Sequence, residues 1–193
     1  MKKRDPQYPV DSIFVNRWSP RALSPETMNN TELMSLFEAA RWAPSSYNNQ
    51  PWRFIYAKRG TDNWKTFFNL LVPFNQEWCE NASFLIVVIS RKNFEYNDKY
   101  SRTHSFDTGA AWENLALQAS IMELVAHGIE GFDYEKARKE LSIPKEYDIE
   151  AMIAVGKHGK KENLSPELQK REELSNRKKV EEFVFEGKFK EKI

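Results

Sequence analysis

Residues 43–54 read Ala43 Pro44 Ser45 Ser46 Tyr47 Asn48 Asn49 Gln50 Pro51 Trp52 Arg53 Phe54. The stretch joins an amphipathic run ending at Trp42 to a β-like run, Trp52 to Ala57, and sets two hydroxyls and three carboxamides between two prolines. The prolines fix φ at both ends, and each hydroxyl and amide can donate and accept. Such a loop suits the edge of a flat, polar, heteroaromatic ligand better than bulk water.

Upstream, Val10 to Arg17 forms a short helical pattern broken by Ser19 Pro20. A second helix, capped by Asn30 or Thr31, carries Leu33, Met34, Phe37 and Ala40 at helical spacing and stops before Pro44. Downstream, Trp52 to Ala57 reads as a strand, Thr61 to Leu71 as a helix stopped by Pro73, and Phe84 to Ile89 as a strand buried on both faces. Arg91 to His104 is polar and aromatic, a loop or lid. Ser105 to His127 is the longest helical pattern, apolar around much of its circumference and ending at Gly128, so it is central or lies at a subunit interface. Asp133 caps a helix through Leu141, and Ala151 to Val155 supplies a further buried strand. Without strict βαβ alternation the class is α+β, in a single domain spanning 1–193.

Composition narrows the function. Lys plus Arg number 29 and Asp plus Glu 28, a net charge of +1 that gives no signal for nucleic acid or a membrane surface. The longest apolar run falls far short of a membrane span, no leader segment is visible, and the lone Cys79 cannot form an internal disulfide. A cytoplasmic protein is expected. Gly is scarce and no GxGxxG or Walker sequence occurs. His104, His127 and His158 lack metal-ligand spacing, so no metal site is expected, and no triad motif supports a hydrolase.

Several short segments carry possible chemistry. In Asn16 Arg17 Trp18 Ser19 Pro20 Arg21, two arginines and a hydroxyl can grip a phosphate, although surface arginines are common. Arg177 Lys178 Lys179 is a second basic cluster, either solvated or phosphate-binding. Gly128 Ile129 Glu130 Gly131 permits close approach of backbone to a planar ring, or simply a helix end and a turn. Asn75 suits a ligand carbonyl and equally suits a helix cap. From His158 the chain is highly charged until Phe183 Val184 Phe185, which points to docking on the body or on a partner subunit.

Taken together, Arg17 to Arg21, Pro44 to Trp52, Phe74 Asn75, Ile129 to Phe132 and Arg177 to Lys179 resemble the FMN-dependent nitroreductase family in order and approximate spacing. The resemblance implies a nitroreductase-like α+β fold, with a mixed or antiparallel sheet flanked by helices and a C-terminal arm, about residues 160–193, exchanged across a homodimer. Carried over by residue, Arg17, Ser19, Arg177 and Lys179 hold the phosphate and ribityl end of FMN, Arg21 lies toward the N1/O2 side, and Trp18 also binds the cofactor. Pro44, Ser45, Ser46 and Asn48 come from the partner chain, with Gln50 near them. Asn75 meets the pyrimidine edge, and the backbone of Ile129, Glu130 and Gly131 faces N5 and O4. The implied activity is transfer of hydride from NADH or NADPH through flavin N5 to a nitroaromatic, quinone or other small acceptor. The alternative is a flavin-handling or sensing protein without efficient nicotinamide turnover. Three positions depart from the pattern: Trp78 where some relatives have lysine, Glu123 where the long helix often has glycine, and an Arg91 to His104 segment short for a large lid.

Overall fold

The computed structural model describes residues 4–189. Four strands, β1 (Trp52–Lys58), β2 (Phe84–Arg91), β3 (Leu124–Ile129) and β4 (Tyr147–Lys157), form one sheet in the order β1-β2-β4-β3, antiparallel throughout. β2 is interior, and its alternation divides the core: Leu85, Val87 and Ile89 enter one apolar cluster, Phe84, Ile86 and Val88 the other.

Among the described residues there are seven α-helices, α1 (Ser12–Asn16), which lies against α5, and α2 (Asn30–Arg41), α3 (Trp64–Phe68), α4 (Pro73–Cys79), α5 (His104–Ile121), α6 (Tyr134–Glu140) and α7 (Pro166–Arg171), which flank the sheet. On one face, Leu33, Leu36 and Ala40 of α2 meet Ala111, Leu115 and Ala119 of α5. On the other, α3, α4, α6 and α7 supply Phe67, Trp78, Cys79, Ala137 and Leu168. The α2 and α5 layer leaves large apolar groups in water: Met34, Trp42, Phe106 and Ile121 are all exposed.

Several boundaries differ from the expectation: α3 is shorter than Thr61 to Leu71, β4 is longer than Ala151 to Val155, and three further differences have clear causes. The cap of α2 is Asn29, in a reciprocal capping box with Glu32 that satisfies two end groups at once. Pro73 opens α4 rather than ending the helix before it, because proline at the first helical position gives up no needed N–H; Asn75 therefore lies inside α4 and caps nothing. The long helix ends at Ile121, not His127. Residues 124–129 pair with β4, and Gly128 sits in that strand opposite Ile153. The left-handed residue after α5 is Glu123, at φ 57°.

The C-terminal segment runs past the N-terminal one, with Val180 N–H donating to Gln7 Oε1 at 2.8 Å. Phe183 and Val184 remain 59% and 57% exposed, so this chain's own body does not cover them. Among the described residues no helix is long and apolar enough to cross a membrane.

Candidate functional site

Past α1, the chain turns through Arg17 to Arg21 into a cavity of about 330 Å³. Five guanidinium groups line it, those of Arg4, Arg17, Arg21, Arg171 and Arg177, with Trp18, Ser19, His127 and Ser175 and a single carboxylate, Glu173. Arg17 Nη1 donates to Ser19 Oγ at 3.3 Å, and Arg177 Nη1 to Ser175 Oγ at 2.9 Å. Arg4 braces the wall, donating from Nη1 to the carbonyls of Val15 and Arg17 and from Nε to that of Ser175. Burial, and then the charges of Arg177 and Arg17, pull the Arg4 pKa below its ordinary value. Arg21 Nε is buried with no hydrogen-bond partner. Arg171 is paired with Glu167 at 3.1 Å, and the other cations with the free Arg21 donor leave the cavity able to receive an anion.

His127 joins the cavity to the end of β3. Its Nδ1 lies 3.0 Å from the Pro20 carbonyl, fixing the neutral tautomer with the proton on Nδ1. Burial lowers its pKa to about 4; the nearby Arg21 and Arg17 charges push the same way, against the bond to Pro20. The Trp78 ring lies 4.5 Å from the imidazole, and its Nε1 donates to Asn75 Oδ1 at 3.2 Å. Asn75 Nδ2 in turn donates to the Gly131 carbonyl at 2.9 Å. A Cβ at Gly131 would fall 2.7 Å from Asn75 Nδ2, so only glycine allows this approach. The structure thus brings Arg17, Trp18, Ser19, Arg21, Arg177, Asn75 and Ile129 to Gly131 along one edge of the sheet. Asn75 spends half of its hydrogen-bonding capacity inside the chain, leaving one N–H and one lone pair. Lys179 is exposed and does not line the cavity.

The hydroxyl and amide loop lies elsewhere, at the start of β1. Ser45 Oγ accepts from Gln50 N at 3.0 Å, Gln50 Nε2 donates to the Asn48 carbonyl, and Ser46 N donates to the buried Asp107 carboxylate at 3.0 Å. Tyr47, Asn48 and Gln50 all have positive φ, between 46° and 52°, a conformation that bulky residues hold only when their surroundings impose it. Part of that imposition comes from residues 91–104: Glu95 N donates to Asn49 Oδ1, and Tyr47 packs against Phe94 and Tyr96 at 5.7 and 5.9 Å. The row Ala57, Leu85, Ala154, His127 crosses the sheet, and Trp52 lies five residues along β1 from it. Three strand spacings and five residues of rise put the loop and the cationic cavity roughly 20 Å apart in one chain.

Sequence reading alone misses that Arg4, His127 and Arg171 line this cavity. Arg4 and Arg171 sit in no recognisable motif. His127 falls in a run read as helix.

This edge-and-loop arrangement on a four-stranded antiparallel sheet defines a class, and the comparisons name it. The nitroreductase family profile matches residues 15–157, and the chain belongs to that family. A crystal structure described as an oxidoreductase containing FMN superposes with a TM-score of 0.93 and 42% identity, over 98% of this chain and 97% of that one. Protein DrgA of Synechocystis is 28% identical over 81% of this chain and 89% of its own length. An oxygen-insensitive NADPH nitroreductase of Helicobacter acinonychis is 39% identical over 36% of this chain, a match that spans about a third, 32%, of that enzyme.

Proposed function

We propose that this protein is an NAD(P)H-dependent FMN oxidoreductase that works as a cytoplasmic homodimer and reduces nitroaromatics, quinones or a related small acceptor. The observation that carries the reading is the buried, unpartnered Arg21 Nε in a cavity lined by five guanidinium groups. A phosphomonoester there would meet Arg17, Arg177 and Ser19, with Arg21 directed toward the flavin ring. Asn75 has a spare donor and acceptor for the pyrimidine edge, next to the backbone of Ile129, Glu130 and Gly131. The FMN-containing structure at 42% identity supports the same ligand.

One chain holds Pro44, Ser45, Ser46, Asn48 and Gln50 far from that cavity. A second copy would supply them, and the exposed Met34, Trp42, Phe106 and Ile121 offer an apolar face for it. Bound FMN supplies the redox chemistry, hydride in from NADH or NADPH and electrons out to the acceptor. The chain's part is to hold and orient: Arg21 places positive charge beside the ring, favouring its electron-rich form, and neutral His127 keeps the Pro20 turn in place without adding charge.

The purified protein should be yellow, and anaerobic mixing with NADH or NADPH should bleach the flavin rapidly. A colourless protein that takes up no added FMN would refute the cofactor. Flavin that binds but fails to bleach with either nucleotide would instead identify a flavin-handling or sensing protein.

A further inference from the structure

Behind the cationic cavity lies a carboxylate that does not line it. Glu172 is only 7% exposed. Its Oε1 accepts from the N–H groups of Arg21 and Ala22, and its Oε2 from that of Arg21, all at 2.9 Å. About 150 residues separate the partners along the chain. On either side of Glu172 stand Arg171 and Glu173, which line one wall of the cavity, while Arg21 lines the other. The backbone at Glu172 is also held, since its N–H donates to the Gln169 carbonyl at the end of α7 and its carbonyl accepts from Lys161 Nζ.

We propose that Glu172 is a positioning residue for phosphate recognition: it staples the Arg17 to Arg21 turn to the 171–177 segment, so that arginines from both ends of the chain converge on one anion. The inference rests on the reading of this cavity as an FMN-phosphate site. Charge and geometry make opposite demands here. As a negative charge near an anion, Glu172 opposes phosphate; as an anchor of the Arg21 backbone, it supports phosphate. Charge-assisted bonds to buried N–H groups are strong and directional, so the anchoring role dominates. The sign of the effect on removal decides between them.

The experiment titrates FMN and riboflavin, which lacks the phosphate, into the wild-type protein and into Glu172→Ala, Glu172→Asp and Glu172→Gln. Anchoring predicts that Ala, and Asp with its shorter reach, raise the FMN Kd roughly tenfold or more while the riboflavin Kd rises several-fold less, its remaining loss coming from Arg21 beside the ring. Gln keeps an acceptor oxygen for the two bonds made at Oε1 and should stay within about threefold for FMN. If Glu172→Ala does not fold, the contrast between Asp and Gln carries the same test. Tighter or unchanged FMN binding in Ala and Asp, or a proportionate loss of both ligands, would overturn the proposal while leaving the FMN reading intact. A wild-type protein that binds no FMN would overturn both.

Discussion

The two halves of the candidate site are built by different means. The cationic cavity at the β3 edge is assembled from sequence extremes: Arg4 reaches Ser175, and Glu172 reaches Arg21 and Ala22. The loop at the start of β1 is written locally, with Ser45 bonded to Gln50 and Gln50 to Asn48. Each half is pinned by one buried carboxylate, Glu172 for the turn and Asp107 for the loop, accepting backbone N–H groups from the segment it steadies. The lesson is physical. A charged pocket needs convergence of distant chain, whereas the polar loop is set mostly by consecutive residues, steadied by Asp107 and by residues 94–96.

The largest expected effect is a pH dependence of stability that originates on the cavity side. His127 has a folded-state pKa of about 4 against an ordinary 6.5, so the fold prefers its neutral form. That preference contributes fully above pH 6.5 and is lost as pH falls toward 4, at most about 3 kcal/mol. Denaturant midpoints should therefore drop across this window, and His127→Asn should flatten the slope; an equally steep variant would sink the assignment. The half-buried His158, whose pKa burial also lowers, contributes in the same direction and remains in both proteins.

Arg17→Ala strikes the cavity alone. Loss of a charged contact costs about 1.5–3 kcal/mol, so FMN binding should weaken roughly 10- to 100-fold. Titration by flavin fluorescence checks it, and unchanged affinity would refute the role. On the loop side, Asp107→Asn weakens the anchor that takes Ser46 N–H and Thr103 Oγ1. Amide exchange at Ser46 should speed up by the equivalent of about 1–2 kcal/mol with the Arg21 amide unmoved. Coupled acceleration at both would show that the halves are not independent.

The smallest effect lies outside both halves, at the end of α5. Glu123 holds φ 57° where glycine would be free of Cβ strain. Glu123→Gly should raise stability by about 1 kcal/mol, read as a higher Tm. A fall in Tm would mean that the glutamate side chain contributes more than the backbone strain removes.

The same contrast explains what could be read from the chain. β2 is visible because seven of its eight residues are buried and carry no competing helical period, and the Pro44 to Trp52 loop is visible because its chemistry is consecutive. The helical pattern of α5 overruns its end because Leu124, Val125 and Ala126 continue an apolar run that satisfies both periods; pairing with β4 decides, and no local residue announces it. Gly128 resembled a helix cap, yet the left-handed position fell on Glu123, a residue type that gives no such signal. In the cavity, Arg17, Ser19, Arg21 and Arg177 are legible as candidates through motif order. Arg4, Arg171 and Glu172 are not, because isolated charges on a highly charged chain acquire meaning only when folding brings the ends together.

The central claim is that one flavin site takes its cations from one chain and its carboxamide loop from another. The direct test mixes two variants, each impaired alone: Arg17→Ala, broken in the cavity, and Asn48→Ala, broken in the loop. After subunit exchange, each heterodimer holds one site in which both halves are intact, so tight FMN sites should reappear at roughly a quarter of the wild-type number. A mixture that binds FMN no better than the average of the two variants would contradict the account.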